Sequence, residues 1–272
     1  MRQDLNASKS VYECDFLTVR VDKQVLDLFA EKPSSRWDPA FWDPKYDQIL
    51  SQISKSYNLV PLNDLLTIPI IAPDHVRASK EEYIGRKYSC EYRTLKDLLF
   101  TGLNHADINY CSDNAFQRLK RSQLQVGDIL FAGSGIGAIG RVGFVDKVSK
   151  KSCVGDLFII REPKINNYYL YVFLLTLFGQ AQIEKIYHGI QSAKISTPEI
   201  AEIKIILIPN NIQSHIEAEY KKMSAYHDKA MEANAKGNEA EYRKNIETAE
   251  TMLKELIAKT EAVIRGERED VV

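Results

Sequence analysis

Leu124-Gln125-Val126-Gly127-Asp128-Ile129-Leu130-Phe131, continuing through Gly133-Ser134-Gly135-Ile136-Gly137-Ala138-Ile139-Gly140, joins an apolar run to a cluster of glycines. From Gly135 to Gly140 it spells G-x-G-x-x-G, the spacing of a dinucleotide or S-adenosylmethionine loop. Such a loop needs a helix directly after the glycines, because the helix N-terminus holds the anion. The residues that follow, Arg141-Val142-Gly143-Phe144-Val145-Asp146-Lys147-Val148, are β-branched and glycine-punctuated, and they predict a strand. The stretch therefore reads as strand, glycine turn, strand, which argues against a cofactor loop. Glycines there let backbone amides approach a polyanion, with Ser134 and Arg141 at the flanks. A tight β corner without a ligand fits the same residues.

Outward from this hairpin, residues 76–210 read as compact and β-rich with some helix. Strands are expected at Asp128–Phe131, Val142–Val148 and Asp156–Arg161. A helix is expected from Tyr168 through Gln180 to Tyr187, and Ile203–Ile208 is an apolar run closed by Pro209-Asn210-Asn211. Residues 1–75 mix a β-rich segment, Val19–Val25, with a short amphipathic helix, Asp47–Ser56. Residues 211–266 contain no proline and are rich in Ala, Glu, Lys and Met, which is helical by propensity. Ile246, Ala249, Leu253, Leu256, Thr260 and Val263 follow the 3-4 spacing of a coiled-coil seam and form the expected partner or dimer face. A looser series, Ile212, Ile216, Tyr220, Met223 and His227, precedes them. Gly237-Asn238 lies between the halves, and Asn238 with Glu241 suits a new helix start. Two helices of about 26 residues, roughly 39 Å each, could fold back as an antiparallel hairpin. One long helix tolerating Gly237 at about 1 kcal/mol satisfies the pattern equally. The expected class is α+β, with a β-rich unit over 1–210 and helices over 211–272.

Composition excludes several classes of function. With 272 residues, 44% hydrophobic and 27% charged, the chain can bury a sizeable core and is not wholly disordered. A net charge of −1 argues against a basic tail that binds nucleic acid by charge alone. No apolar run approaches the roughly 18 residues of a membrane span, and Met1–Ser10 lacks a signal-peptide core, so the expected setting is the cytoplasm with no membrane partner. Cys14, Cys90, Cys111 and Cys153 are scattered and suit free thiols rather than zinc. The five histidines share no ligand spacing, so no metal is expected. Asp43-Pro44-Lys45-Tyr46 falls short of the Asp/Asn-Pro-Pro-Tyr loop of amino-methyltransferases by its third residue. No phosphate-binding G-x-x-x-x-G-K motif occurs, and Glu219-x-Lys221 has no preceding partner acid. No catalytic residue and no cofactor of the chain's own are expected.

Charge is unevenly spread. Residues 76–164 hold fifteen Lys and Arg against ten Asp and Glu, whereas 211–272 hold ten against thirteen. The basic residues of the middle region are interleaved with Tyr, Ser, Asn and Gln, which suits phosphate positioning and base-edge readout.

The sequence resembles the DNA-specificity subunit of type I restriction–modification systems, as one half of such a subunit with one target-recognition domain and one conserved coiled-coil helix. Arg36-Trp37-Asp38-Pro39-Ala40-Phe41-Trp42-Asp43-Pro44-Lys45-Tyr46 resembles the family's opening segment. Leu124–Phe131 with Gly135 and Gly140-Arg141-Val142 is similar to its Gly-Asp strand, glycine turn and strand. Tyr168–Gln180 resembles its Tyr- and Leu-rich helix ending in Gly-Gln. Ile206–Ile216 resembles the linker that opens the coiled coil, and Ala262–Glu267 its close. Where the family often has paired prolines, this chain has Pro209-Asn210.

The resemblance implies a DNA target-recognition domain over 1–210 that reads one half-site in double-stranded DNA, and a coiled-coil dimerisation and spacer region over 211–272. It implies docking of a DNA adenine methyltransferase subunit, which carries S-adenosylmethionine, and of a restriction subunit. The second recognition domain is expected from a homodimer mate or another chain. The expected contact pool is Arg86, Lys87, Tyr88, Arg118, Lys120, Arg121, Ser134, Arg141, Lys147, Lys150, Lys151, Gln191, Ser192 and Lys194. Two other readings stand beside this one. The first is a protein-interaction scaffold or decoy without DNA specificity, and the second is a detached recognition part of a larger methyltransferase.

Overall fold

The computed structural model describes residues 9–14, 17–22, 41, 43–77, 88–106, 108–135, 137–148, 150–187 and 194–272, the first two segments by their backbone. Strands β1 (Lys9–Cys14) and β2 (Leu17–Asp22) form an antiparallel hairpin. Helix α1 (Pro44–Leu50) starts at Asp43, whose side chain accepts from the Lys45 amide, with proline in the first turn. Strand β3 (Asn58–Pro61) and a 3-10 turn, Leu62–Leu65, follow.

The β-rich body comprises β4 (Cys90–Arg93), β5 (Leu98–Leu99), β6 (Gly102–Leu103), β7 (Asn109–Cys111), helix α2 (Asp113–Arg118), β8 (Ile129–Phe131), β9 (Val142–Phe144), β10 (Ser152–Val154) and β11 (Phe158–Ile160). The strands are short and lie in small sheets. β4 sits between β10, parallel, and β7, antiparallel; β8 sits between β11 and β9, antiparallel to both; β5 and β6 make a hairpin. Every residue of β4, β8, β9, β10 and β11 is buried; β8 and β11 read as continuous apolar runs, whereas β4 takes Glu91 and Arg93 inside.

The expected helix from Tyr168 to Tyr187 is two helices, α3 (Asn167–Leu175) and α4 (Leu177–Ile186). Thr176 breaks it. Its backbone is extended (φ −66°, ψ 162°) and its side chain accepts from the Gly179 amide, making it the N-cap of α4. Helix α5 (Thr197–Ala201) leads to β12 (Lys204–Leu207), which pairs antiparallel with β3.

Pro209 introduces α6 (Asn210–Ala235), and α7 (Glu239–Arg265) returns beside it. Of the two arrangements open in the sequence, the chain adopts the hairpin. Gly237 takes φ 72° at the turn, and the Asn238 side chain accepts from the Glu241 amide to begin α7. Gly266, at φ 75°, ends it. One hydrophobic core runs through α3, α4, β12, α6 and α7, so the hairpin is rooted in the β-rich body. Phe144, Tyr168 and Tyr171 meet Tyr220 of α6 with ring centroids 5.3–5.6 Å apart.

Candidate nucleic-acid interface

The glycine stretch folds as the strand–turn–strand reading predicts. β8 and β9 pair Ile129 with Phe144 and Phe131 with Val142. Above them the Ala132 amide donates to the Arg141 carbonyl and the Gly140 amide to the Ala132 carbonyl. No helix follows, so the N-terminal anion site of a dinucleotide loop is not formed. Gly140 has φ 80°, and a Cβ there would stand 2.6 Å from Ile183 Cγ2. Glycine at 140 is therefore required both by conformation and by the close approach of α4.

Ser134 and Lys194, far apart in sequence, are brought together. They form an isolated antiparallel bridge, and the Ile195 amide donates to the Gly133 carbonyl at 2.8 Å. Ser134, Gly135, Gly137, Arg141 and Lys194 are all exposed, so the turn and the segment before α5 share one solvent-facing edge. Arg141 folds back to donate to the Gly137 carbonyl at 3.3 Å.

The rest of the expected pool divides. Lys120 and Arg121 lie exposed on a 3-10 turn after α2, and Lys150 is exposed; none of the three has an ion-pair partner among the described residues. Arg118 instead holds the chain: Nη1 donates to both Asp74 carboxylate oxygens at 3.1 Å and Nη2 to the His75 carbonyl at 2.6 Å. Lys151 pairs with Asp113 at 2.6 Å, and Lys147 with Asp228 of α6. Tyr88 is half-buried. Arg86, Lys87, Gln191 and Ser192 lie outside the described residues.

Of the two roles open to the seam, partner helix or dimer face, the chain itself takes the first: Ala249, Leu253, Leu256, Thr260 and Val263 are buried within this chain, against α6 and the body, and so do not form a free face for a second copy. Ile246 is only half-buried, and its neighbour Asn245 turns inward instead, with Nδ2 donating to the Glu241 carbonyl. The helix period of 3.6 shifts the buried stripe by one residue over the first turns.

Local reading missed two buried charge clusters. In the first, Asp128 of the Gly-Asp pair is 1% exposed and meets Arg161 across the β8–β11 register. Arg161 Nε donates to Oδ1 and Nη2 to Oδ2, both at 2.7 Å, and Nη2 also reaches the Gln123 carbonyl. The signal was present as charges closing apolar strands, at Asp128-Ile129-Leu130-Phe131 and Phe158-Ile159-Ile160-Arg161. In the second, Arg93 of β4 pairs with Glu91 at 2.7 Å, donates to the Asn104 carbonyl and approaches His105 Nδ1 at 3.4 Å.

His227 of α6 lies beside this second cluster. Its Nε2 donates to the Leu103 carbonyl at 2.9 Å, which leaves Nδ1 to accept from the Thr101 hydroxyl at 2.8 Å. Burial lowers the pKa of His227, and burial with the Arg93 charge lowers that of His105. Among the described residues no group of three His, Cys, Asp or Glu is placed to hold a metal ion, and no helix is long and apolar enough to cross a membrane.

No protein-family model matches the chain, and no curated protein matches it. Solved structures similar to it include the type I restriction-modification system S subunit from M. genitalium, at 14% identity and TM-score 0.43, over 67% of this chain and 41% of that one. A second comes from work on the assembly and conformational transition of the type I R-M system, at 14% identity and TM-score 0.46, over 86% of this chain and 54% of that one. A third is the HsdS subunit from Thermoanaerobacter tengcongensis, at 15% identity and TM-score 0.43, over 90% of this chain and 54% of that one. The chain thus spans about half the length of the solved chains it matches.

Proposed function

We propose that this chain is a sequence-specific DNA-binding specificity subunit of a type I-like restriction–modification system. Its β-rich part, within 1–210, reads one half-site, and the α6–α7 hairpin, within 211–272, sets the spacing and docks a DNA adenine methyltransferase subunit. The observation that carries the reading is the exposed edge where the glycine turn meets Lys194. Ser134 offers an exposed hydroxyl there, and Arg141 and Lys194 supply charge, a set suited to phosphate and base-edge contacts.

The core shared between body and hairpin supports a rigid spacer, because a reading domain can fix half-site spacing only if it does not swivel on its helices. Methylation belongs to the partner subunit, and this chain positions it. With the seam residues covered within the chain, a homodimer would use the outer faces of α6 and α7. The test is selection of duplexes from a randomised pool by the chain with its cognate methyltransferase. Enrichment of one half-site motif is the expected result. An unenriched pool together with intact dimer formation favours the scaffold reading.

A further inference from the structure

Two buried donors stand without partners in one small cavity. Arg93 is 3% exposed and Ser152 5%, yet Arg93 Nε and Ser152 Oγ have no hydrogen-bond partner among the described residues. Leaving such groups unpaired is costly, so the pair marks a site built for something that accepts. Both line a cavity of about 10 Å³ together with Glu91, His105, Lys147 and Val148. That is space for one water-sized atom. Ser152 lies opposite Glu91 in the β10–β4 register, and Glu91 is already engaged by Arg93. Arg93 Nε can only donate, and the Ser152 hydroxyl can donate as well as accept. At the rim, Lys147 has one of its three N–H bonds directed to Asp228, and exposed Lys150 lies close by in sequence.

We propose that this cavity seats one anionic oxygen of a phosphoryl group, held by Arg93 and Ser152 beneath Lys147. The volume admits a single oxygen, so the rest of the group stays outside, as a backbone phosphate or a free phosphate would. That the natural source is the DNA backbone rests on the specificity-subunit reading. The seat itself does not. Neither Arg93 nor Ser152 belongs to the basic pool legible in the sequence, because both are inward-facing residues of buried strands.

The test compares wild type, Ser152→Ala and Ser152→Asp. Alanine removes one donor. Aspartate places a carboxylate in the cavity and occupies the site from within. Thermal midpoints are read in inorganic phosphate and in chloride at matched ionic strength and pH 7. The wild type should gain from phosphate by about 2–4 °C more than Ser152→Asp, with Ser152→Ala between them. Equal gains in all three overturn the proposal and leave a buried water as the partner of both donors. A second arm measures duplex affinity against salt. If the oxygen comes from DNA, the slope of Ser152→Asp falls by about one. An unchanged slope with the phosphate difference intact assigns the seat to free phosphate. Absent duplex binding with that difference intact removes the specificity-subunit reading and keeps the seat.

Discussion

Arg161 and Asp128, 33 residues apart, meet as a two-pronged ion pair inside the β-rich body, each contact 2.7 Å long. Asp128 also accepts from the Gln125 amide at 2.8 Å, so one carboxylate organises the turn into β8 and the end of β11. The Gly-Asp pair in the sequence is thus a folding element at the end of the β8–β9 ladder opposite the glycine turn. Arg161→Met should destabilise the chain by about 3–5 kcal/mol in urea unfolding, because it strands a buried carboxylate. Adding Asp128→Leu should restore part of that loss. If the single and double variants are equally unstable, the pair does not carry the effect.

Two buried tyrosines should respond oppositely to loss of the hydroxyl. Tyr220 OH has no partner among the described residues, whereas Tyr169 OH donates to the Ile206 carbonyl. Tyr220→Phe should be neutral or stabilising, and Tyr169→Phe should cost about 1 kcal/mol. Denaturation midpoints of the two variants decide it.

Stability should fall on mild acidification. His227 and His105 have pKa values lowered by burial, so the unfolded chain binds their protons more readily than the folded one. Their contribution is complete above the unfolded value of about 6.5 and is lost as pH drops from there toward the folded values. Unfolding followed from pH 7.5 to 5.5 should show the decline, and His227→Gln should flatten it. A decline unaltered in that variant would place its origin elsewhere.

Gly237 forms the hairpin turn at φ 72°, and a Cβ there would meet nothing within 4 Å. Gly237→Ala should therefore cost only the backbone term, about 1 kcal/mol, with α6 and α7 still paired by circular dichroism. Gly133→Ala should cost far more, since its Cβ would fall 2.1 Å from Phe158.

The parts of the fold that are legible are those with local signals. The β-branched residues after Gly140 mark a strand, whereas Gly237-Asn238 marks a place for a turn but fits one long helix equally. Thr176 was missed because Tyr169 through Leu174 are all buried. A helix apolar all round shows no stripe whose end would reveal a break. Pairing of β10 with β4, parallel and about sixty residues apart in sequence, leaves no local trace. Composition points to a basic region but not to its geometry. Lys120, Arg121 and Lys194 are exposed, whereas Arg118, Lys147 and Lys151 spend their charges on Asp74, Asp228 and Asp113. Which basic residues are engaged depends on tertiary neighbours that no local window contains.

The most direct measurement is fluorescence anisotropy of the chain on random duplexes across a salt series, alone and with a cognate methyltransferase subunit. The account predicts affinity that falls steeply between 50 and 200 mM salt, by roughly 10³-fold for about six phosphate contacts, and selectivity that rises when the methyltransferase is present. Lys120→Ala and Arg121→Ala should each lower the salt slope by about one. Absence of duplex binding in both states, with the chain folded, would contradict the account.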